Sequence, residues 1–213
     1  MRLPYAPSTP PATSAPKVSE IYARIAARRA PRPLIPLDLS LLHAPPVADG
    51  WNSFLGAIRT ETVIDPGLLE LAVCRVAVLT GAVYEWNAHA PLALQGGVPA
   101  AALQAVRDLA STAAEETPGA PLRASALSAR QQAVVKYADE MTGRVAVREG
   151  TFAALRRAQA AGGAGLSDRE VVELTTGVAG YNCVSRVLVA LDVGENNDKE
   201  MKSVQELVEG LKN

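Results

Sequence analysis

At 213 residues the chain is long enough to bury one substantial core, and its length favours one domain with an arm. Charged residues make up 20% and the net charge is −1, so nothing in the electrostatics points to a nucleic acid or an anionic membrane surface. An Ala-, Leu- and Val-rich composition with 4% aromatic residues argues for packed helices over a β-sandwich.

Residues 1–17 hold five prolines and few large apolar groups, which predicts an extended arm. The stretch lacks the apolar core of a secretory signal, and no apolar run reaches the roughly 18 residues needed to span a bilayer. A soluble, cytoplasmic protein is therefore expected. A helix follows from about Val18 to Arg29. Ala30 to Asp38 is expected to be extended, because Pro31, Pro33 and Pro36 each disfavour helix at the residue before. Leu41 to Val47 marks a joint. Beyond it, Trp51, Phe54, Leu55 and Ile58 fall at helical spacing and are expected to point inward.

Asp65-Pro66-Gly67 predicts a helix start, with an acidic cap and proline at the first helical position. The helix it opens is apolar nearly all round, which predicts a central position; Glu70 and Arg75 are anomalies on that surface. Thr80-Gly81 closes it, Gly81 supplying a left-handed cap. A second helix is predicted from Val83 to Gln95, ending at Gly96-Gly97, and a third from Pro99 to Leu109. Residues 111–125 read as a polar loop. Ser128 to Gln131 forms a capping box for a helix to about Thr142, and a further helix covers Glu149 to Ala161, stopped by Gly162-Gly163. Ser167 to Glu170 is a second capping box, and its helix runs to about Leu191. Asp192 to Asp198 is a turn, followed by a charged amphipathic helix. No strand pattern competes, so the fold class is all-α. The helical domain spans 18–192, flanked by the arm (1–17) and a C-terminal turn and helix (193–213).

The chemistry concentrates around one of only two histidines, His89, in Tyr84-Glu85-Trp86-Asn87-Ala88-His89. Histidine titrates closest to neutrality, and a neighbouring carboxylate or phenol can orient or tune it. Glu85 and His89 are four residues apart and share a helix face. Tyr84, about 140° from His89 at 100° per residue, borders that face. Glu70 lies on the preceding helix, where a hairpin could bring it to His89. Cys74 and Cys183 sit in apolar helical segments and read as small core hydrophobes.

Gly50-Trp51, Phe54 and Arg59, then Leu69 to Val73, Tyr84-Glu85-Trp86 with His89, and Gly97-Val98 together resemble the carboxymuconolactone decarboxylase family, within the AhpD-like superfamily. Leu41 to Pro46 and Tyr181-Asn182 with Arg186 resemble stretches of its longer members, and the similarity spans about residues 20 to 192. The resemblance implies an AhpD-like helical bundle, assembled as a homo-oligomer, with the site in a pocket. The thiol-peroxidase branch carries a Glu, a Cys-x-x-Cys with Tyr before the second Cys, and a His four residues after it. Glu70, Tyr84 and His89 match that relay, while Ala82 and Glu85 stand where the cysteines would be, so thiol–disulfide chemistry lacks its sulfurs.

The expected function is a cofactor-independent acid/base enzyme, a decarboxylase or a related lyase or isomerase, acting on a small organic acid, lactone or carbonyl compound. His89 is the candidate general acid/base, Glu70 its orienting partner, and Tyr84 or Glu85 the donor to a developing enolate oxygen. His43, Trp86 and Arg59 are candidate substrate contacts. Each also has a structural reading. His89 could be satisfied by a backbone carbonyl or Glu70, and Glu70 could bridge to Arg75 or Arg59. Glu85 could pair with an arginine, Tyr84 and Trp86 could be core aromatics, and His43 could be a structural loop residue. No metal is expected, since His43, His89, Glu70 and Glu85 form no short-spacing ligand signature. Gly96-Gly97 and Gly162-Gly163 lack the preceding strand of a phosphate loop. The alternative is a non-enzymatic binding or assembly protein on the same scaffold.

Overall fold

The computed structural model describes residues 1–115, 119–157 and 165–212. In chain order the helices are α1 (Pro16–Arg29), α2 (Pro36–Leu41), α3 (Pro45–Thr60), α4 (Pro66–Thr80), α5 (Val83–Gln95) and α6 (Ala100–Asp108). They continue with α7 (Ala120–Arg123), α8 (Ala129–Gly143), α9 (Glu149–Arg156), α10 (Asp168–Leu191) and α11 (Val204–Gly210). The described residues contain no strand, and the chain is all-α.

α4 is the axis of the molecule because both of its sides are covered. Leu69, Ala72, Val73 and Val76 pack into a core with α3, α8 and α10. Leu71, Cys74 and Ala77 pack into a second core with α5, α6 and α11. That double burial explains a helix that is apolar nearly all round. Truncating a sealed side chain such as Leu71 would remove both its transfer energy and its packing, at a cost of about 2–5 kcal/mol. A third, smaller cluster joins Ile21, Tyr22 and Ile25 of α1 to Leu42 and Ala48.

The start and stop signals operate as their chemistry predicts. The Asp65 carboxylate accepts from the Leu68 N–H at 2.8 Å, and Gly81 takes φ 66° at the end of α4. Ser128 and Ser167 each close a capping box with the residue three positions on. The start of α4 and the end of α5 meet backbone to backbone: a Cβ on Gly67 would stand 2.5 Å from the Gly96 carbonyl oxygen. Only hydrogen fits there, which fixes the register of the α4–α5 hairpin.

Four expectations need correction or restriction. Residues 36–38 are not extended but open α2: proline disfavours helix at the residue before it, yet suits the first helical position, and the Asp38 carboxylate accepts the Ile35 N–H at 3.0 Å. Phe54 does not point inward but is 47% exposed, although Leu55 and Ile58 are buried. The loop at 111–125 contains the short α7. The predicted end of the helix from Glu149, with its Gly162-Gly163 stop, lies outside the described residues.

The arm folds back on its own domain. The Arg2 N–H donates to the Leu191 carbonyl at 2.8 Å, the Tyr5 hydroxyl donates to Glu195 at 3.1 Å, and the Ala6 N–H donates to the Leu39 carbonyl at 3.1 Å. α10 is the one helix among the described residues long and apolar enough to cross a membrane by length and composition. Its apolar side, through Leu174, Val178 and Val184, is spent on the core.

Arg75, the second anomaly of α4, is wholly buried and wholly satisfied. Its guanidinium donates to both Asp139 oxygens at 2.6 and 3.1 Å and to the carbonyls of Val106, Leu109 and Ala110 at 2.8 to 2.9 Å. Asp139 also accepts from the Thr112 N–H at 2.6 Å. The expected alternative of a Glu70–Arg75 bridge is therefore not formed: Arg75 ties α8 to the chain beyond α6 instead.

Candidate active site

Hairpin closure brings Glu70 and His89 together. The imidazole Nδ1 lies 2.6 Å from Glu70 Oε2. A carboxylate only accepts, so the Nδ1 hydrogen is held by Glu70, and the Nε2 lone pair is left uncommitted. Nε2 makes no hydrogen bond among the described residues, and His89 lines a cavity of about 450 Å³. The second Glu70 oxygen stands 3.9 Å from Arg59 Nη1. One nitrogen of the imidazole is thus anchored in protein, and the residue borders the cavity.

Glu85, one helical turn before His89, is 1% exposed. Both its carboxyl oxygens are shut away from solvent and lack a hydrogen-bond partner. Burial, with the Glu70 charge second, pushes its carboxyl well above the ordinary 4.5. Burial there disfavours its ionised form, and the structural reading of Glu85 as an arginine's partner is not realised. Tyr84 lines the same cavity, its ring packed so closely on Gly194 that a Cβ there would come within 2.7 Å of it. Burial raises its phenol above the usual value, with Asp38 adding to the shift.

Arg59 reaches the cavity from α3. Trp86 and His43 do not. The Trp86 ring is sealed in the second core, its indole N–H donating to the Lys202 carbonyl at 2.9 Å, with Arg107 above the ring. His43 is exposed, and its Nε2 donates to the Pro4 carbonyl at 2.6 Å, pinning the arm. The sequence reading assigned both to the substrate because their residue types suit ligands; their positions suit packing and tethering.

Two contributions were missed. Tyr181, from the middle of α10, meets the His89 ring edge-on, with centroids 4.7 Å apart and planes at 77°, and its hydroxyl accepts from Arg59 Nη1 at 3.2 Å. Burial lifts its phenol to about 12 against the opposing pull of Arg59. Arg28, Arg29 and Arg32, at and just past the end of α1, form part of the cavity wall. Arg29 is clamped by both oxygens of Asp38 at 2.7 and 2.8 Å, Arg28 donates to Asn52, and Arg32 makes no side-chain bond among the described residues. Burial, then the neighbouring Arg29, lowers the Arg28 guanidinium. A cluster of arginines at a helix end is visible in the sequence; the partner it faces is not.

Neither cysteine belongs to this site as a thiol pair. Cys74 is sealed in the second core, where burial pushes its thiol well up, and Cys183 is exposed on α10.

The helical architecture and the Glu–His hairpin define a protein of AhpD-like fold. Residues 45–129, the stretch that holds Glu70, Glu85 and His89, match the model of the carboxymuconolactone decarboxylase family. Two solved structures share the fold across most of their length. One is the alkylhydroperoxidase AhpD core of an uncharacterized peroxidase-related protein from Ralstonia eutropha JMP134, at TM-score 0.65 and 17% identity, covering 97% of this chain and 93% of that one. The other is an uncharacterized peroxidase-related protein from Silicibacter sp. TM1040, at TM-score 0.60 and 17% identity, covering 92% and 95%. At that identity the likeness speaks to fold alone. No curated protein matches the sequence.

Proposed function

We propose that this chain is a cofactor-independent acid/base enzyme that forms an enolate from a small organic acid, lactone or carbonyl compound, as a decarboxylase or a related lyase or isomerase does. The observation that carries this reading is the 2.6 Å Glu70–His89 contact, with Nε2 left free beside the cavity. An imidazole fixed through one nitrogen and open at the other is the arrangement of an oriented base. Glu70 sets the tautomer and stabilises the imidazolium that forms when Nε2 takes a proton. The arginines of the wall favour a negatively charged substrate. The match of residues 45–129 to the family model supports the decarboxylase side of the reading, and the missing cysteine pair argues against the peroxide chemistry named for the structural relatives.

The test is a panel of small keto acids and lactones incubated with the protein in deuterated buffer, followed by NMR for C–H to C–D exchange and for loss of CO₂. At least one compound should react with the wild type and not with His89→Gln. A panel that stays inert with folded protein, or a His89→Gln variant as active as the wild type, overturns the reading and leaves a binding or assembly protein on this scaffold.

A further inference from the structure

We propose that the Tyr181 hydroxyl, backed by Arg59, is the hydrogen-bond donor that holds the substrate's oxyanion, so that the cavity takes a carbonyl compound whose oxygen lies against Tyr181 while its acidic carbon faces His89. This rests on the acid/base reading above and names the group that receives the charge.

The argument is one of hydrogen-bond direction. A guanidinium has donors and no acceptor, so the 3.2 Å contact between Arg59 and Tyr181 runs only from Arg59 N–H to the phenol oxygen. The Tyr181 O–H is left unspent. No acceptor lies within hydrogen-bond distance of it among the described residues, since one Glu70 oxygen is taken by His89 and the other faces Arg59 at 3.9 Å. A buried hydroxyl normally finds a partner, and this one lines the cavity. Arg59 does two things for such a donor: it polarises the O–H, and it places a positive charge behind the oxygen that will accept the developing negative charge. The phenol keeps its proton through the whole neutral range, so it donates a hydrogen bond and does not lose the proton.

Position selects Tyr181 over the two donors expected from the sequence. Its ring touches the His89 ring, so base and donor address one small molecule. Glu85 is nearer in sequence, but its carboxyl oxygens are shut off from solvent. Tyr84 lies about 140° around α5 from His89, and among the described residues no cation donates a hydrogen bond to its hydroxyl, although Arg29 acts on it from a distance.

In the step this geometry serves, His89 Nε2 forms a bond to the proton on the carbon next to the carbonyl. The C–H pair becomes the new carbon–carbon π bond, and the carbonyl π pair moves onto oxygen, where the Tyr181 O–H meets it. The imidazolium then returns its proton to carbon at the same or a conjugated position. Nothing is oxidised or reduced, and no co-reactant is needed.

Oxalate, a planar dianion resembling an enediolate, is the probe. With only two histidines in the chain, imidazole ¹⁵N spectra report on His89 while His43, tethered to Pro4 on the surface, serves as the internal reference. Oxalate should move the His89 signals and leave those of His43 in place. By calorimetry, Tyr181→Phe should weaken oxalate about 10- to 100-fold, the worth of a hydrogen bond to a charged acceptor, a larger loss than Tyr84→Phe produces. Arg59→Gln, at a side chain 34% exposed, is the second variant and should also weaken oxalate at least about fivefold if the backing charge matters. Unchanged affinity in Tyr181→Phe or in Arg59→Gln, a loss confined to Tyr84→Phe, or oxalate that leaves His89 unmoved each overturns the proposal. The acid/base reading is judged separately by the ligand-free spectrum: a His89 tautomer with its hydrogen on Nε2 defeats that reading, whatever oxalate does.

Discussion

Two polar clusters are buried along α4, five residues apart in sequence and about 140° apart around the helix. In one, Arg75 and Asp139 are each 0% exposed, and every strong donor and acceptor is spent: five contacts from the guanidinium and further ones from Thr112 to the carboxylate. In the other, Glu70 holds one nitrogen of His89, while the second nitrogen, the Tyr181 proton and both Glu85 oxygens have no partner among the described residues. Burying polar groups without partners is costly, so a fold keeps such a cluster where a ligand completes it. A finished network reads as architecture, an unfinished one as chemistry, and the difference lies in the hydrogen-bond ledger rather than in the residue types.

Breaking each cluster should therefore produce different kinds of damage. The largest effect is expected from His89→Ala: turnover of a substrate identified in the panel should fall by about 10²- to 10⁴-fold, with a melting temperature near that of the wild type. Asp139→Ala should do the reverse. It leaves a buried guanidinium uncompensated and should cost about 3–5 kcal/mol in urea unfolding, while the variant that remains folded keeps its turnover per active site. Gly67→Ala pushes a methyl group against the Gly96 carbonyl and should cost roughly 1–3 kcal/mol. Because that contact sets the hairpin register, it should also perturb the His89 imidazole spectrum, which Asp139→Ala should not.

Glu85→Gln gives the smallest effect near pH 5 and the most specific one. The folded-state carboxyl binds its proton more tightly than the unfolded chain does, whose ordinary value is 4.5. Its stabilising share is therefore fully present below that pH and is lost as the pH climbs toward the folded value. In that window the wild type should lose up to about 1.4 kcal/mol per pH unit relative to Glu85→Gln, read from urea unfolding in a pH series. Parallel pH profiles would mean that Glu85 is ionised and partnered after all.

How much of this was legible beforehand depended on distance along the chain. Asp65-Pro66, Thr80-Gly81 and Gly96-Gly97 are local signals, and they delimit the two helices whose hairpin joins Glu70 to His89. The capping boxes at Ser128 and Ser167 are equally local. Tyr181 is 92 positions beyond His89, and only the packing of α10 on α4 and α5 brings the two rings together; nothing in the neighbourhood of either residue encodes that. Phe54 failed for a related reason: helical spacing assigns residues to a face but does not say which neighbour covers it, so Phe54 faces solvent, while Trp86 took its alternative reading as a core aromatic. Pro36 was misread because the same ring that disfavours helix before it favours helix after it.

The cavity wall contributed by Arg28, Arg29 and Arg32 comes from a segment outside residues 45–129, whereas the base and its partner lie inside that stretch. The Arg29–Asp38 clip and the Arg28–Asn52 bond fasten that segment in place. On the acid/base reading proposed above, the Glu70–His89 pair and this charged wall therefore reside on separate portions of the polypeptide. On that reading an exchange of residues 28–37 should change what the cavity admits while leaving the Glu70–His89 pair in place, which makes this stretch the natural place to begin redesign.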